Sequence, residues 1–150
     1  MRLVIQRVSE AQVVVDEQII GKINQGLLVL IGIEPNDTDE DESWLIRKLI
    51  NLRIFGDENG VMNCSVKDIE GEFLIVSQFT LHASTKKGNR PSYIRAAQPD
   101  IAIPRYENFV ENLKKQSQLK VETGKFGADM KVSLLNDGPV TIIMDSKRKE

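Results

Sequence analysis

Residues 26–33 read GLLVLIGI, an uncharged run that is apolar at nearly every position rather than at every second one. Such a run predicts a strand buried on both faces, the centre of a sheet rather than its edge. Upstream, LVIQRV (3–8), AQVVVD (11–16) and QIIGKI (18–23) are short β-branched runs that read as half-buried strands. Downstream, five acids lie between Asp37 and Glu42, ahead of apolar residues at 45, 46, 49, 50 and 52. That is helical spacing with acids at the positive end of the helix dipole, so 38–52 is predicted to be a helix. GDENG (56–60) is a turn and FLIVSQFTL (73–81) a strand. IPRYENFVENLKKQ (103–116) places Tyr106, Phe109, Val110 and Leu113 on one helical face, with Pro104 near its start. The tail (120–145) reads as two strands flanking a turn at NDGP, with Met130, Val132 and Leu134 on one face and Val140, Ile142 and Met144 on another. The expected architecture is α+β: a single domain over 1–150, a mixed, barrel-like sheet packed with two main helices.

The composition narrows the chemistry. The chain has 150 residues, 41% hydrophobic and 28% charged, with a net charge of −2. No global basic field draws it to nucleic acid, so any polyanion site must be local. The single cysteine, Cys64, cannot form an internal disulfide or build a Cys-based zinc site, and reads as a small buried hydrophobe. With one histidine, His82, a His-rich metal site is excluded as well. No metal and no cofactor are expected. No apolar run approaches the roughly 18 residues of a membrane span, and the N-terminus lacks a signal-peptide core, so a cytoplasmic protein is expected.

Three stretches could carry chemistry, and none is a familiar catalytic signature such as GxSxG, a P-loop or HExxH. The first is SQFTL (77–81). On a continuing strand Gln78, Thr80 and His82 would share a face, which raises a Thr80 nucleophile activated by His82. The plainer alternative is a strand end with a histidine at the loop edge. The second is STKKGNRPSYIR (84–95), where Lys86, Lys87, Arg90 and Arg95 surround Tyr93 in a window, 73–99, without an acid. Cations and an aromatic in such a window can track a phosphate backbone and stack a base, though a solvated loop would look the same. The third is NDGPVT (136–141). Pro139 opens an apolar strand, where it removes a ladder donor. A cis Gly138–Pro139 bond would aim two carbonyls in one direction.

With SQFTL, KGNRPSY and TGKFGADMKVSLLNDGPVT in view, the chain resembles the D-aminoacyl-tRNA deacylases along essentially its whole length. MRLVIQRVSEAQVVVD and NLRIFGDENGVMNCSVKD belong to the same likeness, and SQFTL and NxGPVT are the family's two signatures. The resemblance implies a homodimer with both active sites at the subunit interface. It also implies hydrolysis of the ester between a D-amino acid, or mischarged glycine, and the 3′ end of tRNA. Ser77, Gln78 and the backbone near Phe79 and Thr80 would hold the aminoacyl end, and Phe126 and Met130 would form the adenosine pocket. Gly138 and Pro139 of one subunit would present their carbonyls to the chiral centre in the other. Lys86, Lys87 and Arg90 are assigned to the tRNA backbone. The position after SQFTL varies across the family, which sets His82 apart from any shared base. Thr80 is a disputed nucleophile there; the alternative, favoured here, is the RNA's own 2′-OH assisting water. Two readings from other classes stay open: a non-catalytic binder of tRNA 3′ ends, and a small-molecule esterase using Thr80.

Overall fold

The structure is a computed structural model and describes residues 1–149. Its centre is the predicted one. Strand β3 (Gly26–Gly32) pairs antiparallel with β1 (Arg2–Val15) and parallel with β6 (Glu72–Ser77). The sheet runs β2 (Gln18–Ile23), β1, β3, β6, β7 (Val121–Thr123), and β8 (Lys131–Asp145) also pairs with β1. Parallel and antiparallel pairs are mixed, and the sheet curls nearly into a barrel. Lys120 beside β7 reaches back to donate to the Lys22 carbonyl of β2 at 3.0 Å. A separate hairpin of β4 (Phe55–Gly56) and β5 (Met62–Cys64) encloses the GDENG turn.

Both faces of β3 are buried, in different cores. Leu27, Val29 and Ile31 meet Leu3, Ile5, Phe73 and Ile75 under two helices, α1 (Asp39–Ile50) and α2 (Pro99–Ser117). Leu28 joins Val8, Val13, Leu74 and Val76 in a second core on the opposite face. Burying one such side chain contributes about 1.5–3 kcal/mol, so an all-apolar strand is stable only with both sides covered. Strand β1 serves both cores because its pairing with β8 shifts at Gln6/Val8 and Val8/Glu10. Leu3 and Ile5 therefore face the helices while Ala11, Val13 and Val15 face the second core. LVIQRV and AQVVVD are thus one long strand, not two.

Helix α1 lies within the predicted span. Thr38 caps it by accepting from the Asp41 N–H at 3.3 Å, while Asp41 accepts from the Thr38 N–H at 2.8 Å, a reciprocal capping box. Helix α2 starts a full turn earlier than expected. Pro99 takes its first position, and Pro104 lies inside it. Proline's fixed φ suits a first turn, which is why either proline could mark the start from sequence. Cys64 is partly rather than fully buried, against the helix-covered core. Among the described residues no helix is long and apolar enough to cross a membrane.

Two predicted elements are built differently. The strand through SQFTL stops at Ser77, and Phe79–His82 form a single 3₁₀ turn. Beyond Ser77 the ladder has run out: the last β3 pair is Ile31 with Ser77, closed by the Gln78 N–H donating to the Ile31 carbonyl at 2.7 Å. The alternation that put Gln78, Thr80 and His82 on one face therefore does not hold. The tail contains no hairpin either. β8 is one fifteen-residue strand paired with β1 from Val14–Lys131 to Arg2–Asp145. NDGP sits inside it as a bulge: the ladder resumes from Val8–Asn136 to Gln6–Thr141, leaving residues 137–140 opposite Arg7 alone. Proline cannot donate to a ladder, so the strand bows outward there instead of turning back.

Candidate active site

The C-terminal end of β6 opens into a cavity of about 290 Å³. Ser77, Gln78 and Phe79 form one wall, and Phe126, Gly127, Ala128 and Met130 from the loop between β7 and β8 form another. That loop is fixed to the sheet: Gly124 donates to the Ile75 carbonyl at 3.0 Å, and Met130 packs against the second core. Phe126 leans on Tyr106 of α2 with ring centroids 5.9 Å apart. The Tyr106 hydroxyl in turn donates to the same Ile75 carbonyl at 2.8 Å, and burial pushes its pKa well up, so it stays protonated. The cavity is apolar apart from Ser77, Gln78 and Asp129, which suits a ligand with a flat apolar part and a few polar groups.

The turn above it is held at several points. Gln78 Nε2 donates to Thr80 Oγ1, the Leu81 N–H donates to the Gln78 carbonyl at 3.2 Å, and Arg2 Nη1 donates to the Leu81 carbonyl at 2.7 Å. Arg2 is itself anchored by Nε and Nη2 on Asp145 Oδ2 at 3.0 and 2.7 Å. Burial alone would raise the Asp145 pKa, but the Arg2 guanidinium and the Lys147 N–H outweigh it and hold the carboxyl below its ordinary value.

Thr80 does not line the cavity, and its hydroxyl is engaged by Gln78. His82 is not a loop-edge histidine. It is 1% exposed, neither ring nitrogen has a hydrogen-bond partner among the described residues, and Nδ1 faces Glu34 at 3.5 Å. Thr80 and His82, the pair raised as a nucleophile and its base, lie two residues apart and are not joined by a hydrogen bond.

Gly138 and Pro139 are joined by a cis peptide bond and line a different groove, about 350 Å³, with Arg7, Gln25, Phe55, Met62 and Val140. Within one chain they are not part of the Ser77–Gln78–Phe79 cavity. Arg7 is the residue that sequence reasoning missed. Its Nε donates to the Asp137 carbonyl at 2.9 Å, and its Nη1 donates to the Ile54 carbonyl. It fills the space under the bulge: a Cβ placed on Gly138, whose φ is +127°, would lie 2.5 Å from Arg7 Nη2. The available signal was a lone arginine inside the apolar run LVIQRV. Lys86, Lys87 and Arg90 are exposed on the loop beyond the turn, which is closed by mutual Ser84–Ser92 hydrogen bonds of 2.8 and 2.9 Å.

The arrangement has relatives. The chain is 67% identical to a D-aminoacyl-tRNA deacylase of Flavobacterium johnsoniae and 63% identical to one of Parabacteroides distasonis, over the full length of both proteins in each case. Among solved structures it superposes on one described as c-Myc DNA Unwinding Element Binding Protein with a TM-score of 0.91 and 42% identity, over 97% of this chain and 98% of that one. A probable eukaryotic D-amino acid tRNA deacylase shares the fold at a TM-score of 0.82 and 17% identity, over 95% and 97% of the two chains. A family profile described as D-Tyr-tRNA(Tyr) deacylase matches residues 4–145, taking in most of β1, the SQFTL turn and the Gly138–Pro139 bulge, and on that match the chain belongs to this deacylase family.

Proposed function

We propose that the protein, a single deacylase domain over residues 1–150, hydrolyses the ester linking a D-amino acid, or mischarged glycine, to the 3′-terminal adenosine of tRNA. The observation that carries this is the cavity at the end of β6: an aromatic and thioether wall from Phe126 and Met130 faces a polar wall from Ser77 and Gln78. The first wall accepts adenine. The second, with the N–H groups of Phe79 and Thr80 at the start of the 3₁₀ turn, holds the aminoacyl end. Lys86, Lys87 and Arg90 meet the tRNA backbone. The relatives named D-aminoacyl-tRNA deacylases support the same reaction.

Water adds to the ester carbonyl, the bond to the ribose 3′-oxygen breaks, and that oxygen leaves as the 3′-hydroxyl after taking a proton. The neighbouring 2′-OH assists the proton transfer. An aminoacyl ester is already activated, so holding it beside water accounts for much of the rate without a strong protein base. Gln78, rather than a base, is bonded to the Thr80 hydroxyl, which supports leaving Thr80 outside the chemistry.

Selectivity comes from a second copy of the chain. Gly138 and Pro139 line a groove separate from the cavity, and they sit on β8, which carries the exposed Leu135 and Ile143 (59% and 68%). A homodimer joined along this face would carry the Gly138–Pro139 carbonyls of each subunit into the cavity of the other, leaving no room for an L side chain. Excluding L over D a thousandfold takes about 4 kcal/mol at the transition state, within reach of a clash against fixed backbone. The protein acts where charged tRNA is used, in the cytoplasm.

The test is hydrolysis of D-tyrosyl-tRNA beside L-tyrosyl-tRNA by the purified protein. Loss of the D ester alone is expected. If both esters survive while uncharged tRNA binds, the protein is a binder of tRNA ends. If both are cleaved equally, it is an esterase without a chiral sieve.

A further inference from the structure

The rim of the cavity carries an aromatic pair that the roles above leave unused. The Phe79 ring, 55% exposed, meets Tyr93 edge-on with centroids 5.0 Å apart and planes at 75°. Tyr93 is 38% exposed and the next residue, Ile94, is 87% exposed. Tyr93 is not on a free-swinging tip: its carbonyl accepts from the Ala96 N–H at 2.9 Å, and the preceding Ser92 is bonded in both directions to Ser84.

The surroundings of the pair select its occupant. No acid lies between Phe73 and Pro99. Among the described residues Lys86, Lys87 and Arg90 enter no ion pair, whereas Arg95 is neutralised by Glu34 at 2.8 Å. An apolar protein face laid over this patch would strip water from three uncompensated cations. A nucleotide answers both halves at once, with a base on the rings and a phosphate on the cations. Phe79 also lines the cavity, so the platform is continuous with the space assigned to the terminal adenosine.

We infer that Tyr93, braced by Phe79, is the stacking site for the base of the nucleotide preceding the terminal adenosine of the bound RNA. This rests on the deacylase reading above and extends it by one nucleotide. Tyr93 is a binding residue only. It touches neither the ester nor water, so its contribution falls on KM and not on kcat.

The experiment crosses one change in the protein with one in the RNA. The full-length protein and its Tyr93→Ala, Tyr93→Leu and Tyr93→Phe variants are assayed on intact D-tyrosyl-tRNA. The same set is assayed on D-tyrosyl-tRNA whose penultimate nucleotide lacks its base. For the unaltered protein, removing the base is expected to raise KM about tenfold, as loss of one stacked base does. Tyr93→Ala and Tyr93→Leu are expected to raise KM on intact tRNA by a similar factor and to show no further rise on the abasic RNA. Such non-additivity is the signature of a direct contact. Tyr93→Phe keeps the ring and is expected to behave as the unaltered protein.

Independent, additive effects would overturn the inference, and so would a KM indifferent to the missing base. If Tyr93→Ala instead changes the oligomeric mass in solution, the patch is a subunit contact and the inference falls. Failure of the unaltered protein to hydrolyse intact D-tyrosyl-tRNA would overturn the deacylase reading itself and the stacking site with it.

Discussion

The turn at 77–82 and the bulge at 137–140 both interrupt apolar strands with polar or small residues, yet they are built in opposite ways. The turn leaves a central strand with neighbours on both sides, and its first three residues, Ser77, Gln78 and Phe79, line a cavity walled by their own chain. The bulge lies on β8, whose named pairing is with β1 alone, and is pinned from beneath by one arginine. One region is a finished half of a pocket. The other presents backbone to an open groove. Under the proposed function the contrast separates two tasks: holding an ester would use side chains on rigid core, whereas excluding one enantiomer would use backbone that cannot yield.

The largest expected effect breaks that separation at the bulge. Gly138→Ala places a Cβ at φ +127°, 2.5 Å from Arg7 Nη2 and 3.1 Å from Val140 Cγ2. An L side chain rarely adopts that φ, so the backbone must move. We expect discrimination between D- and L-tyrosyl-tRNA to fall by about 100-fold, some 3 kcal/mol, with hydrolysis of the D ester changed far less. Parallel rates on the two esters read this directly. A folded variant that still rejects the L ester would sever the bulge from selectivity.

Arg7→Lys sharpens the same point. Lysine keeps the charge but cannot span the Asp137 and Ile54 carbonyls as a guanidinium does. A buried carbonyl left without its donor costs about 1–3 kcal/mol, visible in urea denaturation. Selectivity is expected to drop by roughly tenfold, about 1.4 kcal/mol, because the carbonyls gain freedom rather than being displaced.

How far these two regions could be read from sequence follows the same divide. GLLVLIGI announced its burial because apolar content and periodicity are local, and the acids before Trp44 announced α1 for the same reason. SQFTL was flagged as odd, but where β6 stops depends on where β3 stops, a fact of pairing rather than of either segment. The single strand through NDGP was hidden because Gly and Pro look alike in a hairpin and in a bulge. What makes it a bulge is that both flanks pair with the distant β1, at Val8–Asn136 and Gln6–Thr141. His82 was misplaced because a histidine after a strand is usually wet, and its burial against Gly32 and Glu34 is tertiary. Ser77, Gln78, Phe79, Phe126 and Met130 do come together in one cavity, and it was the family likeness, not spacing, that joined the last two to the first three.

A third prediction concerns the tie between the regions. Arg2 links the turn, through the Leu81 carbonyl, to Asp145 at the end of β8. The Asp145 pKa is held below its ordinary 3.8 in the folded chain. A depressed carboxyl stabilises the fold fully above its unfolded value and loses that contribution as pH falls through the folded one. Asp145→Asn is therefore expected to cost about 1–2 kcal/mol near neutral pH, typical of a hydrogen bond to a charged group. Its gap from the unaltered protein should close as pH drops below about 4, since protonation then removes from the unaltered protein the charge that the variant already lacks. Denaturation midpoints measured across that range check it. A gap that stays constant with pH would mean that Asp145 acts by shape alone.

The smallest expected effect is at the residue that invites most suspicion. A nucleophilic threonine needs a base at its hydroxyl and a place in the pocket wall. Thr80 has neither: its oxygen accepts from the Gln78 amide, which cannot take a proton from it, and the cavity is lined by its neighbours. His82 cannot substitute as the base, because both its nitrogens lie buried without a hydrogen-bond partner. Thr80→Ala should then lower kcat on D-tyrosyl-tRNA by less than about tenfold, the loss of one hydrogen bond that steadies Gln78. A covalent role would show instead as a collapse of several orders of magnitude, because the attacking atom itself would be gone. Thr80→Ser is the control for this comparison. A serine would keep both the hydrogen bond and any nucleophile, so it restores full activity under either reading, while only the covalent one makes Thr80→Ala inert.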